Sequence, residues 1–312
     1  MLTTEKPVVT STIYENVTRQ IVEAIEQGAG NFEMPWHKLS EQPQNALNNH
    51  RYQGVNVLQL LLASRKKGFE LPYWASYKQW QQIGAQVKRG EAAQLIVYFE
   101  TKVDEKRDEN GQMKEEKYFI CRPSHVFNAA QVEGWQAPFK EPIDKTVALT
   151  QTEEFVAAVG AYIEHKGTEA FYDIQADMIR IPPRKFFKDT TTRSATEGYY
   201  ATLLHELTHW TGHERRCSRN LKGRFGEEDY AMEELVAELG SAFLCADLGI
   251  APEVRKDHAQ YLDGWLRVLK QDPKAIFTAS SKAAYASDWL HKAAREDFLA
   301  KAALQQKQNQ AC

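Results

Sequence analysis

The 312-residue chain has the length and composition of a globular protein with two domains, because an ordinary domain holds about 100–200 residues. Apolar residues make up 43% and charged residues 26%, which excludes collagen, a long disordered tail and a membrane span. Basic and acidic side chains number 39 and 42, so any basic surface must be local. The first residues show no secretion signal, and four scattered cysteines fit a reducing compartment, so we expect a cytoplasmic protein without a membrane partner.

Residues 1–135 predict an α+β domain. Capping residues and glycines delimit its helices, and alternating apolar residues mark its strands. The predicted elements are helices at 12–28, 56–68 and 76–84 and strands at 93–100 and 118–127. The charged stretch 102–117 between the two strands is expected to form a solvated hairpin loop.

A linker is predicted at 136–147, where Pro138 and Pro142 interrupt both helix and strand. The second domain, 148–312, is expected to be mostly helical with a small sheet. Its predicted elements are helices at 151–165, 196–211, 229–248, 252–270 and 280–304, with short extended pieces at 170–172 and 178–182.

The pentapeptide 205–209, His-Glu-Leu-Thr-His, is the strongest chemical signal and lies in a predicted helix. A spacing of four puts His205 and His209 on one helix face, where both reach a single metal ion. Glu206 is then placed to act as the general base that activates water. Two core histidines flanking a surface glutamate would be the purely structural alternative.

Catalytic zinc needs a third protein ligand and an open fourth position. The metzincin pattern requires histidine at position 215, where this chain has Arg215, so that subclass is excluded. A glutamate on the next predicted helix is the expected third ligand. We expect Glu234, with Glu238 and Glu233 as alternatives; the remaining carboxylate would suit fixing a histidine tautomer. The expected cofactor is Zn²⁺, with another divalent transition metal as the alternative.

A closed structural metal site is a further alternative, because His213 and Cys217 continue the four-residue spacing. Gly212 is expected to end the helix, however, and would take both residues off the shared face.

The segment 51–99 interleaves seven basic and two acidic side chains with aromatic residues. Single-stranded nucleic acid is bound in this way, because cations track phosphates while aromatic rings stack on unpaired bases. Aromatic residues at helical spacing are more often part of a core, so composition alone leaves both interpretations open. The expected DNA contacts are Arg51, Tyr52, Trp74, Tyr77, Lys78, Lys88 and Arg89.

Several longer motifs extend these signals. They are Pro35-Trp36, Asn-x-x-x-Tyr-x-Gly-x-Asn ending at Asn56, Trp-Ala-Ser-Tyr-Lys-Gln-Trp at 74–80, Gly-Ala-Gln-Val-Lys-Arg-Gly at 84–90, Val-Phe-Asn-Ala-Ala-Gln at 126–131, His-Glu-Leu-Thr-His-Trp-Thr-Gly-His at 205–213 and Tyr-Ala-Met-Glu-Glu-Leu-Val-Ala-Glu at 230–238. Together they resemble the ArdC family of plasmid antirestriction proteins, and the first five are similar to the N-terminal region of plasmid TraC primases. The resemblance implies an N-terminal domain that binds single-stranded DNA, a C-terminal zincin-like metalloprotease domain, and protection of incoming DNA from restriction during conjugation.

Three hypotheses about function remain open. The first is a bifunctional protein that binds single-stranded DNA and hydrolyses a peptide or protein with a metal ion. The second is a DNA-coating protein whose metal site is only structural. The third is a protease that single-stranded DNA switches on.

Overall fold

The computed structural model describes residues 7–31, 34–107, 113–139, 144–191, 193–224, 226–251 and 258–310. Its helices are α1 (Pro7–Gly28), α2 (Val55–Lys67), α3 (Tyr77–Gln82), α4 (Lys145–Val159), α5 (Ala195–Thr211), α6 (Glu228–Leu248), α7 (His258–Gln271) and α8 (Ala275–Gln310). Its strands are β1 (Gln44–Asn45), β2 (Tyr73–Ala75), β3 (Gln86–Val87), β4 (Gln94–Arg107), β5 (Met113–Asn128), β6 (Val132–Glu133), β7 (Tyr162–His165), β8 (Phe171–Asp173) and β9 (Met178–Ile181). Among the described residues, no helix combines the length and the apolar character needed to cross a bilayer.

The N-terminal strands form a four-stranded sheet in the order β1-β2-β5-β4, and β3 pairs with β6 beside it. The hairpin β4–β5 is longer than the sequence predicts, because its antiparallel pairing continues to Arg107 opposite Met113. Backbone hydrogen bonds extend such a ladder whatever the side chains are, so a charged segment need not be a loop. Of the loop predicted at 102–117, only 108–112 lies outside the described residues.

The C-terminal sheet has the order β7-β9-β8, with β7 parallel and β8 antiparallel to the central strand. The prediction of a helix at 151–165 was wrong at its C-terminal end, because α4 ends at Val159. Gly160 adopts the left-handed conformation with φ 77°, which ends the helix, and the chain continues into β7. Much of the helix predicted at 252–270 is α7; residues 252–257 lie outside the described residues.

The largest hydrophobic core draws side chains from both halves of the sequence. It contains Val17 and Ile21 of α1 and Leu58 of α2 together with Leu239 of α6 and Trp265 of α7, all at most 1% exposed. A second core packs α4 and α5 against the C-terminal sheet. The boundary predicted at 136–147 stays a prediction. The N-terminal helices α1 and α2 pack on α7 and α8, and the turn at residues 35–38 contacts α6.

Candidate metal centre and nucleic-acid surface

Helix α5 carries the two histidines and α6 carries the glutamate of a convergent group. Glu234 Oε2 lies 3.5 Å from His205 Nε2, and Glu234 Oε1 lies 3.6 Å from His209 Nε2. One ligand atom from each of the three residues falls within 4.8 Å of the others. Two ligands about 2.0–2.1 Å from a tetrahedral metal ion are about 3.3–3.4 Å apart, so this donor set fits zinc or a similar divalent ion.

Close packing of the two helices brings these ligands together. Gly240 of α6 lies against Thr208 of α5, and a Cβ atom at position 240 would be 2.6 Å from the Thr208 Cγ2 atom. No side chain larger than hydrogen fits there without a shift of one helix. Ser241 adds a hydrogen bond between the helices, since its hydroxyl donates to the Ala201 carbonyl at 3.0 Å.

The other two candidate glutamates of α6 face the Nδ1 atoms of the histidines. Glu233 Oε1 is 3.2 Å from His209 Nδ1, and Glu238 Oε2 is 3.6 Å from His205 Nδ1. A carboxylate at Nδ1 favours the tautomer whose Nε2 can bind metal. The geometry therefore separates Glu234 from Glu233 and Glu238, which the sequence left as alternatives for the third ligand.

Arg219 holds Glu233 in place from the loop after α5. Its guanidinium donates to both carboxylate oxygens, at 3.0 Å from Nε to Oε2 and 2.8 Å from Nη2 to Oε1. Burial by itself raises the pKa of Glu233, but hydrogen bonds from His209 and Arg219 outweigh it and lower the pKa below its ordinary value. Glu233 thus stays ionised beside the candidate ligand.

A cleft of about 270 Å³ opens onto the convergent group. Glu206 lines it beside the histidines, and its side chain is otherwise buried. Phe171 and Tyr172 of the edge strand β8 form another wall, with Tyr230 and Tyr261 from α6 and α7. The candidate ligands therefore face a space that a substrate can enter.

The structure does not assemble the alternative four-residue series. Helix α5 ends at Thr211, with Gly212 as its C-cap residue. Among the described residues, the potential metal ligands that converge are His205, His209 and Glu234. His213 and Cys217 do not belong to this group.

The seven candidate DNA-contact residues fall into three places. Tyr77, Lys88 and Arg89 line one surface depression together with Phe127, and Lys78 is exposed beside Tyr77 on α3. Tyr77 is 42% exposed, which leaves its ring open to a base. The depression also contains Glu91 and Glu133, and Glu91 accepts a hydrogen bond from the Gln131 side chain.

Two of the expected aromatic contacts lie in the core instead. Tyr52 is 6% exposed and donates to the Trp74 carbonyl, and Trp74 itself is fully buried. Neither ring can stack on a base, because both are buried in one core cluster with Ile96 and Val126. Arg51 is exposed but lies in a separate depression, where it pairs with Asp247 of α6.

Models of two known domains match the two parts of the chain. The N-terminal domain of anti-restriction factor ArdC matches residues 11–127, and a zincin-like metallopeptidase matches residues 150–282. The metal-free crystal structure of antirestriction protein ArdC from plasmid R388 superposes with a TM-score of 0.72 at 37% identity, covering 91% of this chain and 98% of that one. The chain belongs to the ArdC family of antirestriction proteins.

Other relatives agree with this ArdC assignment. The Mn(II)-bound structure of the R388 protein gives a TM-score of 0.70 at 35% identity over 90% of this chain and 97% of that one. The uncharacterized protein y4eC of Sinorhizobium fredii is 39% identical over 298 residues, 93% of this chain and 95% of its own length. DNA primase TraC of Escherichia coli is 35% identical over 295 residues, 89% of this chain but 27% of the primase.

These matches confirm the resemblance to the ArdC family and the expected α+β class with a zincin-like second domain. A zincin-like domain implies a divalent metal ion. Sequence reasoning missed Arg219, which lies ten residues beyond His209 and shows no spacing signal. It also missed the role of β8 in lining the cleft, because that strand is distant from His205 in the sequence and contacts α5 only in the folded protein.

Proposed function

We propose that this ArdC-family protein is a zinc-dependent peptidase that also binds single-stranded DNA and protects plasmid DNA entering the cytoplasm during conjugation. The observation that carries the peptidase proposal is the convergence of His205, His209 and Glu234 at a cleft that Glu206 also lines. Two imidazoles, one carboxylate and an open side are the donor set of a catalytic zinc site.

The protein's own residues divide the work of hydrolysis. His205, His209 and Glu234 would hold the ion. When bound, a divalent ion polarises a carbonyl group and lowers the pKa of water. The Glu206 carboxylate accepts a proton from the attacking water and passes it to the departing amine.

An extended peptide is the substrate class that the cleft favours. Strand β8 lies at the edge of the order β7-β9-β8, with Phe171 and Tyr172 on the cleft wall. A peptide can add to such an edge through main-chain hydrogen bonds, and Tyr230 and Tyr261 add aromatic surface to the same cleft.

Metal content in variants tests the ligand assignment. We expect about one zinc ion per wild-type chain and its loss in His205→Ala and Glu234→Ala. His50→Ala is the matched control, because His50 is exposed and lies in the loop before α2. If Glu234→Ala retains the metal, Glu234 is not the third ligand, and another carboxylate must take that role.

Substitution of the general base separates catalysis from metal binding. Glu206→Gln should keep the metal and lose peptide hydrolysis by at least 10²-fold, the usual contribution of a positioned base. Protection of DNA by this variant would favour the alternative in which the metal only stabilises the protein. A requirement for added single strands in the wild-type hydrolysis assay would favour the DNA-activated protease.

The DNA proposal rests on the exposed depression of Tyr77, Lys88 and Arg89 and on the ArdC N-terminal domain. Fluorescence anisotropy with labelled oligo(dT) over a salt series measures it. Arg89→Ala should weaken DNA binding and make the slope of log K against log salt concentration shallower by about one unit. Tyr77→Ala should weaken DNA binding at every salt concentration, because it removes a stacking ring rather than a charge. Lys282→Ala, an exposed cation on α8, should change neither quantity.

A further inference from the structure

Two N-terminal side chains reach the candidate metal centre from about 200 residues away. A short 3₁₀ turn, Pro35–Lys38, presents Trp36 and His37 to α6, and both side chains are buried. Trp36 Nε1 donates to Glu238 Oε1 at 3.2 Å, and His37 Nε2 lies 2.6 Å from the same oxygen. The docking continues along α6, where Gln42 donates to Asp247 at 3.1 Å.

The backbone fixes which nitrogen of His37 faces Glu238 as a donor. The Met34 N–H donates to His37 Nδ1 at 3.0 Å, so Nδ1 is an acceptor and the ring proton resides on Nε2. His37 Nε2–H therefore donates to Glu238 Oε1. With the indole N–H of Trp36, this oxygen receives two donors from the N-terminal segment.

The second oxygen of Glu238 is thereby directed at His205. Glu238 Oε2 lies 3.6 Å from His205 Nδ1, just beyond hydrogen-bonding distance. A carboxylate held there favours a proton on Nδ1 of His205, which leaves Nε2 to bind the ion. One line of contacts thus runs from the Met34 backbone through His37 and Glu238 to a candidate ligand.

Packing alone does not require this arrangement. Buried pairs of polar and charged groups are often no more stabilising than well-packed apolar residues of the same volume. Trp36 already contributes to the core through Trp265, with ring centroids 6.2 Å apart. The convergence of two donors on one oxygen of a carboxylate behind a ligand calls for a reason beyond stability.

We propose that Trp36 and His37 are positioning residues of the metal centre, which fix Glu238 against His205 and link metal affinity to the docking of the N-terminal segment on α6. This inference rests on the proposed metal site. Since linkage is reciprocal, metal binding should in turn stabilise the docked segment.

The test compares two equivalent Trp→Phe variants of the full chain. Trp36→Phe removes the donor to Glu238 and keeps an aromatic ring. Trp80→Phe is the matched control, because Trp80 is also fully buried and donates its indole N–H to the Phe127 carbonyl at 3.0 Å. Zinc affinity is measured by competition with a chromogenic chelator, and the rise in melting temperature on adding zinc is measured alongside.

Trp36→Phe should weaken zinc binding on the order of tenfold and reduce the zinc-induced rise in melting temperature, as loss of a group supporting a ligand does. Trp80→Phe should leave both quantities within about twofold of wild type, even where it destabilises the fold. His37→Ala should behave like Trp36→Phe, and His37→Gln, which retains an N–H of similar reach, should recover much of the affinity. The His37 pair decides the question if Trp36→Phe does not fold.

The outcomes separate this inference from the proposed function. Wild-type protein without zinc, or zinc retained by His205→Ala, would reject the metal site itself. A wild-type site that depends on His205 but is unchanged in Trp36→Phe and His37→Ala would overturn the positioning role alone.

Discussion

Replacing Gly240 by alanine should loosen the candidate metal centre, because this glycine sets the separation of α5 and α6. The new Cβ would lie 2.6 Å from Thr208 Cγ2 and 2.9 Å from Thr208 Oγ1. Carbon atoms in contact are ordinarily 3.5–4.0 Å apart, so one helix must move by about 1 Å. Thr208 is fully buried in the last turn of α5 and cannot swing away into solvent.

The expected magnitude follows from two opposing effects. Overpacking of a core costs about 1–3 kcal/mol, whereas alanine is about 0.8–1.0 kcal/mol more favourable than glycine within a helix. The net loss in free energy of unfolding should therefore be about 0–2 kcal/mol. Zinc affinity should fall on the order of tenfold, because a displacement of α6 moves Glu234 away from both histidines.

A double-mutant cycle measured by urea denaturation isolates this clash. Thr208→Ala removes the two closest atoms and leaves only its Cβ, 3.3 Å from the added one. In the Thr208→Ala background the overpacking cost is relieved and the helix-forming preference of alanine remains, so Gly240→Ala should be neutral or stabilising by up to about 1 kcal/mol. The coupling energy should then be about 1–3 kcal/mol, the cost of the overpacking itself. An equal cost in both backgrounds would refute the view that this contact determines the spacing of the helices.

Three further outcomes can be measured. Asn56→Ala should cost about 2–4 kcal/mol in urea denaturation, because its buried side chain bonds both the N–H and the carbonyl of Val97, at 2.9 and 2.8 Å; a loss below about 1 kcal/mol would contradict this. Hydrogen bonds from Arg216 lower the pKa of Asp177 in the folded protein. The ionised Asp177 carboxylate therefore stabilises the folded protein above about pH 4, and this contribution is lost as the pH falls further. Asp177→Asn should accordingly cost about 1 kcal/mol at pH 7 and progressively less as the pH falls below about 4, and a difference independent of pH would argue against it. Removing metal with a chelator should lower the melting temperature of the wild type but leave that of His205→Ala unchanged; equal shifts in both would place the metal elsewhere.

Local geometry made much of the fold predictable. Ser76 and Ser194 cap α3 and α5, and Gly68 and Gly249 lie in the left-handed conformation just after α2 and α6. Such signals act within one helical turn, so the sequence contains all the information they need. The helix predicted to run on to 165 was wrong because the pairing of β7 with β9, a partner 16 residues further on, competes with the local helical pattern.

The sequence by itself determined the pairing of His205 with His209, because a spacing of four residues puts two side chains on one face of any α-helix. It could not choose among three glutamates on α6, since that choice depends on which face of α6 meets α5. It could not separate the exposed Tyr77 from the buried Trp74, because both suit a core and a stacking surface equally well. Nor could it reveal Trp36 and His37 beside Glu238, whose proximity arises only when distant segments pack into one core.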